Sequence, residues 1–112
     1  MTNNAVEFPA SSQQSLKRAA EIFGVLSTPL RLQIIGSLCC GEKNVSLLLE
    51  QIDASQSNMS RHLSVLYHSG VVSRRRDKQQ MFYKIADDSV VQVCKAVSLQ
   101  VGSWKDERPL QA

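Results

Sequence analysis

Residues 55–70 read SQSNMSRHLSVLYHSG, and this stretch decides the fold of the chain. Ser55 is a favourable N-cap and Gly70 is a favourable C-terminal stop, so the residues between them are predicted to form a helix. Apolar side chains recur at helical spacing and form one stripe along it: Met59, Leu63, Leu66 and Tyr67. One face of this helix is therefore predicted to be buried.

The other faces of the helix carry short side chains that both donate and accept hydrogen bonds. A helix that needed only solubility would more often carry Glu and Lys there. Ser, Asn, Gln and Arg contact phosphates and base edges when a helix enters the major groove of DNA. The candidate DNA-contacting residues on this helix are Gln56, Ser57, Asn58, Ser60, Arg61 and Ser64. The competing interpretation is an ordinary polar helix face, and the flanking sequence weighs against it.

A short helix precedes this one at the spacing of a helix-turn-helix. It is predicted to begin at Asn44 or Ser46, and residues 53–55 link it to the polar helix. The helix before it is capped by Thr28, with Pro29 at the first helical position, where a missing N–H does no harm.

Two strands with a basic turn are predicted directly after Gly70. Residues 71–75 and 81–85 have the composition of strands, and the polar residues 76–80 form the turn between them. Four cations cluster at this hairpin: Arg74, Arg75, Arg76 and Lys78. A helix-turn-helix followed by such a hairpin predicts a winged helix, whose basic wing contacts the DNA backbone or enters a minor groove. The alternative is an edge strand that charge protects from aggregation.

The first and last predicted helices carry apolar stripes. The first is capped by Ser11 or Ser12, and the last runs from Asp87 or Asp88 to Gly102. The stripe of the last helix is rich in valine: Val90, Val93, Cys94, Val97 and Val101. Such a stripe should pack on the first helix, on a second subunit, or on both.

These elements predict a mainly α fold with a small β-hairpin. We expect a winged helix-turn-helix with about five helices, a two-stranded wing and a homodimeric assembly. Residues 1–10 are predicted to be a flexible arm, 11–102 the DNA-binding and dimerisation domain, and 103–112 a flexible tail.

Composition limits the class of protein further. The 112 residues suit one domain, and the net charge of +3 is compatible with nucleic acid. The sequence has neither a run long enough to span a membrane nor a signal-peptide pattern, which predicts a cytoplasmic protein. Its three cysteines, an odd number, argue against a structural disulfide framework. It lacks a Gly-rich phosphate loop and an identifiable His partner for Cys94, so neither an enzyme nor a cofactor is expected.

Four segments of the sequence resemble the ArsR/SmtB family of bacterial repressors. They are LSTPLRLQII at 26–35, SQSNMSRHL at 55–63, the residues from Leu66 through GVV at 70–72, and FY at 82–83. The resemblance extends over roughly residues 16–101. It implies a homodimer built on the first and last helices, repression through an imperfectly palindromic DNA operator, and release when an effector binds. A winged helix can also dock proteins, so an interaction module is the alternative function.

The resemblance also implies two possible metal sites, and neither is retained. Many members carry a thiolate pair in the third helix, where this chain has Asn44 and Ser46, and soft metals need those thiolates. The zinc site of the last helix keeps Asp87, but Ser89, Gln100 and Ser103 replace its other ligands. We therefore name no metal ligand.

The remaining candidates for effector sensing are Cys39, Cys40 and Cys94. Redox- and sulfur-sensing members place one cysteine on the second helix and one on the last, and oxidation there releases the DNA. In those members the cysteines align with Gly36 and about Gly102. Here Cys39 and Cys40 lie about one turn after the first of these positions, and Cys94 lies about two turns before the second. If the second and last helices are antiparallel, both displacements point in the same direction in space. Cys94 can then still form a disulfide with Cys39 or Cys40, provided that the two Cα atoms come within about 7 Å.

Three interpretations of the cysteines stay open. The first is thiol sensing of an oxidant or reactive sulfur, and only one of Cys39 and Cys40 should then face Cys94, because neighbours on a helix point roughly 100° apart. The second is a three-thiol site for a metalloid or metal. The third is that Cys94 is simply a small core residue.

The two histidines are interpreted structurally. His62 lies near the apolar stripe and is expected to pack with a backbone hydrogen bond rather than to bind a metal. His68 lies near the helix C-terminus, where a cation is favourable.

Overall fold

The computed structural model describes residues 12–102, which form five helices and three strands. The elements in chain order are α1 (Gln13–Val25), α2 (Pro29–Leu38), β1 (Lys43–Asn44), α3 (Val45–Gln51), α4 (Gln56–His68), β2 (Val72–Asp77), β3 (Gln80–Ile85) and α5 (Asp88–Gly102). The predicted arm, residue 11 and the predicted tail lie outside the described residues. Within the described part, the expected winged helix-turn-helix is present: α3 and α4 are the two helices, and β2 and β3 are the wing.

Side-chain caps define where four helices begin. The predicted caps Thr28 and Ser55 each accept a hydrogen bond from the backbone N–H three residues later. Ser12 and Asn44 do the same, which resolves two of the three pairs of alternatives that the sequence left open. Each cap satisfies one of the backbone donors that a helix start leaves unbonded. At the other end of α4, Gly70 has φ +85°, a conformation in which a residue with a Cβ is strained.

The sheet that carries the two-stranded wing has a third strand that the sequence did not predict. β1 pairs antiparallel with β3, and β3 pairs with β2, so the strand order is β1-β3-β2. A strand as short as Lys43–Asn44 carries no alternation of its own, which is why the sequence pattern missed it.

The predicted five-residue turn was also too long. Arg76 pairs with Met81 and Asp77 with Gln80, which leaves Lys78 and Gln79 as the turn, with Lys78 at φ +59°. Arg76, Asp77 and Gln80, the last paired residues before the turn, are exposed, so no buried position marks where the strands end.

The core lies where α2, α3, α4, the base of the wing and the start of α5 meet. Its fully buried side chains include Ile34 and Ile35 of α2, Leu48 of α3, and Met59, Leu63 and Leu66 of α4. Val71 and Val72 close the core at the start of the wing. Tyr67, which the sequence assigned to the apolar stripe, is instead 36 % exposed at the edge of α4.

The helices at the two ends of the described chain leave apolar side chains uncovered. None of the side chains of α1 is fully buried, and Phe23 is 61 % exposed. On α5, Val90 enters the core, and Val91 and Cys94 pack against it, whereas Val93, Val97 and Val101 are exposed. The valine stripe of α5 is therefore not covered by α1 within one subunit, and a second copy is the expected cover.

Introducing a carboxylate on this stripe should dissociate the expected dimer. Val97→Asp places a charge on each copy where apolar surface is to be buried, so we expect a dimer dissociation constant raised by roughly a hundredfold or more. Sedimentation velocity over a concentration series measures this constant. Gln92→Asp, on an exposed polar position of the same helix, is the control. A Val97→Asp protein that stays dimeric at the concentrations where the unchanged protein does would contradict the assignment of this surface.

Candidate nucleic-acid interface

Helix α4 is fixed by three buried side chains and presents its other faces to solvent. Because Met59, Leu63 and Leu66 are fully buried, the polar positions between them point outward. Five of the six predicted DNA-contacting residues of this helix are exposed and Ser64 is half-buried: Gln56, Ser57, Asn58, Ser60, Arg61 and Ser64. Arg61, the one cation among the six, donates from Nη2 to Asn58 Oδ1 at 2.9 Å. Because this partner is a neutral amide, the positive charge of Arg61 is not neutralised by it.

A histidine ties one side of α4 to α2. Arg31 donates from Nε to Nδ1 of His62 at 3.2 Å, so Nδ1 is the acceptor and carries no proton. Burial, and then the charges of Arg31 and Arg61, lower the pKa of His62 below its usual value. His62 is therefore a neutral packing residue, as expected, but its partner is an arginine side chain rather than the backbone.

The C-terminal end of α4 is bonded by an arginine that the sequence pattern did not single out. Arg18 of α1 donates from Nη2 to the carbonyl oxygen of Ser69 at 2.7 Å, which places a cation at the negative end of the helix dipole. His68, the residue expected near that position, bonds instead through Nδ1 to the backbone carbonyl of Ser64 at 2.9 Å. Arg18 lies 51 residues before Ser69, and no local pattern signals such a contact.

The cations of the wing have different surroundings. Arg74 lies over the ring of Tyr67 at 3.9 Å, on the side of the wing that faces α4. Arg75 points to the opposite face of the strand and forms a two-point ion pair with Glu42, at 2.9 Å from Nε and 2.8 Å from Nη2. The Arg75 guanidinium holds the pKa of Glu42 below its usual value.

Arg76 and Lys78, further toward the wing tip, are exposed. Neither has a hydrogen-bond or ion-pair partner among residues 12–102. These are the two wing cations whose charge is not already engaged by a side chain of the described structure.

Two of the three cysteines lie at one cleft between the end of α2 and α5. Cys39 and Cys94 line one cleft of ≈ 240 Å³, together with apolar side chains such as Leu32, Ile35 and Val91. Cys94 is half-buried, and burial, with the neighbouring Cys39 as a second cause, raises the pKa of its thiol. Cys40 is exposed and does not line this cleft.

The structure thus brings Cys39, rather than Cys40, to the side of Cys94. In the part of the chain from residue 12 to 102, no three His, Cys, Asp or Glu side chains come together closely enough to hold a metal ion. Asn44 stands where many members of the family carry a metal-binding thiolate. Here it caps α3 through Oδ1 and donates from Nδ2 to Gln80.

The family model for bacterial regulatory proteins of the ArsR family matches residues 28–74, from the cap of α2 into β2. Nodulation protein NolR of Rhizobium meliloti is 33 % identical over 113 residues, which cover 98 % of this chain and 93 % of that protein. The biofilm growth-associated repressor of Xylella fastidiosa is 37 % identical over 84 residues, covering 72 % of this chain and 74 % of that protein.

Solved structures agree with these sequence matches. The crystal structure of NolR from Sinorhizobium fredii superposes with a TM-score of 0.74 at 32 % identity and covers 89 % of this chain and 100 % of that one. A homodimeric winged helix-turn-helix DNA-binding domain from Mycobacterium bovis gives a TM-score of 0.73, with 96 % and 100 % coverage, and at 21 % identity it supports the fold alone.

None of the helices in residues 12–102 is long and apolar enough to cross a membrane.

The relatives are regulators with a DNA-binding fold, which confirms that the chain is not an enzyme. The chain belongs to the ArsR family of bacterial regulatory proteins, the winged helix-turn-helix transcriptional repressors that residues 26–35 and 55–63 had indicated.

Proposed function

We propose that the protein is a cytoplasmic, dimeric repressor that binds an imperfectly palindromic DNA operator through α4 and the wing. The observation that carries this proposal is the division of α4 into three fully buried apolar side chains and an outward surface of short polar ones. A helix held in this way can enter a major groove without giving up its packing.

The two-fold operator follows from the uncovered apolar faces of α1 and α5. If two copies join there, the two α4 helices are related by a two-fold axis and read two half-sites about one helical turn of DNA apart. The imperfect palindrome is the DNA counterpart of that symmetry.

The contacts divide between base reading and backbone binding. The polar residues of α4 named above would lie in the major groove, and Arg76 and Lys78 would neutralise phosphates or enter the adjacent minor groove. Arg74 can reach the same backbone from its place on Tyr67. Arg75, which the sequence grouped with the DNA-contacting cations, is held by Glu42, and we assign it to supporting the wing.

Substitutions on α4 and on the wing should affect specific and random DNA differently. Ser57→Ala and Arg61→Ala remove base contacts, so each should weaken operator binding by about 1–3 kcal/mol and random-sequence binding much less. Arg76→Ala should weaken both and reduce the steepness of the salt dependence. Fluorescence anisotropy on both duplexes over a salt series measures all three. Equal losses on both duplexes for all three variants would refute the assignment of base readers.

The ion pair of Arg75 can be tested through its partner. If Arg75 supports the wing, Glu42→Gln should weaken DNA binding by the same few-fold factor as Arg75→Gln, and the double variant should be no worse than either. If Arg75 instead touched DNA, removing the carboxylate would release it and tighten binding. Glu50→Gln, which removes an equal charge from α3, is the control. Affinity for the operator duplex at fixed salt is the measurement.

Release from the operator is assigned to Cys39 and Cys94. An oxidant such as a peroxide would take one hydrogen from each thiol, form a sulfur–sulfur bond between them and itself be reduced to water. A polysulfide would instead supply two sulfane sulfur atoms: one is inserted between the two thiol sulfurs, and the other takes up the two thiol hydrogens and leaves as hydrogen sulfide. The shared cleft supports this pairing, and the raised pKa of Cys94 makes the more exposed Cys39 the first thiol to react.

The metalloid alternative has less support. It needs three thiolates around one ion, and Cys40 does not line the cleft that Cys39 and Cys94 share. The other alternative, a protein-docking module, is distinguished by a gel shift at low salt on a duplex from the gene's own upstream region. The absence of any shift would favour protein docking.

Mass spectrometry combined with DNA binding tests the sensor. Peroxide or a persulfide donor should produce a Cys39–Cys94 link, seen as the loss of two hydrogens with or without added sulfur, and lower operator affinity by about 5- to 150-fold. Cys40→Ser should respond like the unchanged protein, whereas Cys39→Ser and Cys94→Ser should not respond. A Cys94→Ser protein that is still released by the oxidant would end the thiol-switch hypothesis. Release by arsenite that requires all three cysteines would favour the metalloid site.

A further inference from the structure

A polar cleft of ≈ 330 Å³ separates the wing from the N-terminal half of α4, with α3 as its floor. Its polar lining includes Gln56 and Ser60 of α4, Ser46 of α3, and Arg76 and Gln79 of the wing. We propose that one sugar–phosphate strand of the operator passes through this cleft, where Ser46 and Gln79 donate hydrogen bonds to a phosphate beside Arg76. The inference rests on the proposed DNA-binding function and adds two residues that the sequence did not assign to it.

The path of the strand follows from the shape of DNA. A major groove and the minor groove next to it are separated by a single sugar–phosphate backbone. When α4 lies in the one and the wing tip reaches the other, the backbone between those grooves must lie between α4 and the wing. The cleft lined by Ser60 on one wall and Gln79 on the other occupies that position.

The chemistry of the cleft suits a phosphate. None of the residues that line it is acidic, and Arg76 supplies a guanidinium. Ser46, Arg76 and Gln79 are exposed, and none of the three has a hydrogen-bond partner within the described chain. Side-chain hydroxyls, amides and arginine are common donors to phosphate oxygens, and bonds to the charged group are stronger than neutral ones.

The walls of the cleft are set before DNA arrives. Asn44 uses Oδ1 to accept from the backbone N–H of Leu47 at 2.8 Å, and donates from Nδ2 to Oε1 of Gln80 at 2.5 Å. These bonds join the start of α3 to the wing strand β3, so the α3 and wing sides of the cleft are linked without using Ser46 or Gln79. A preformed site loses less conformational freedom on binding than one that must be ordered.

Two variants test the assignment on DNA of any sequence. Ser46→Ala and Gln79→Ala should each lower affinity for the upstream duplex and for a random duplex by the same factor, about tenfold, because a phosphate carries no sequence information. Neither should change the salt slope, whereas Arg76→Gln should lower it by about 0.9 per subunit. Gln33→Ala, an exposed glutamine on α2 outside the cleft, should bind as the unchanged protein does.

Single methylphosphonates in the duplex identify the phosphate. Replacing one charged oxygen by a methyl at the cleft phosphate should weaken the unchanged protein more than the Ser46→Ala, Gln79→Ala double variant, in which only the Arg76 interaction with that phosphate remains to be lost. Methylphosphonates elsewhere should weaken both proteins by the same factor. Unchanged affinity in both single variants, or a loss confined to the upstream duplex, would overturn the inference and leave the repressor proposal standing. If the unchanged protein bound neither duplex, the cleft inference and the repressor proposal would both be refuted.

Discussion

The burial of three side chains of α4 is the constraint on which the rest of the structure depends. Met59, Leu63 and Leu66 are fully buried, and each contributes about 1.5–3 kcal/mol through the apolar surface that it removes from water. Their spacing fixes both the position of the helix and its rotation about its own axis. Because that rotation is fixed, the polar residues between them form a surface with one orientation, as the proposed contact with a groove of DNA requires.

Three polar contacts to neighbouring elements add to this burial in positioning α4, and each involves an arginine. Arg18 of α1 bonds the carbonyl that ends α4, Arg31 of α2 bonds His62 on one flank, and Arg74 of β2 stacks on Tyr67 on the other. A planar guanidinium can donate several hydrogen bonds in one plane and can also stack on a ring, whereas a lysine ammonium cannot stack. The orientation of α4 is thus connected to the helix that carries the exposed apolar face, to the helix that carries Cys39, and to the wing.

The sequence predicted the parts of this structure that depend on residues near one another in the chain. The caps Thr28 and Ser55, the buried positions of α4 and the two long wing strands were all found from local spacing. Contacts between distant residues were not: Glu42 meets Arg75 33 residues later, and Arg18 meets Ser69 51 residues later. The cysteine pair was intermediate. The sequence predicted that only one of Cys39 and Cys40 would face Cys94, from the geometry of a helix that in fact ends at Leu38. The packing of α5 near the end of α2 places Cys39 at the cleft that Cys94 lines.

Helix α5 is the element through which thiol chemistry could reach the DNA-binding surface. Cys94 faces α2, while Val93, Val97 and Val101 form an exposed stripe on the same helix. A bond between Cys94 and Cys39 would fix α5 against α2, and because a helix turns as a unit, the stripe would turn with it. In a dimer joined by that stripe, such a turn changes the angle between subunits and hence the separation of the two α4 helices. The same coupling acts in reverse, so a bound operator, which requires one separation, would disfavour the bond between the thiols.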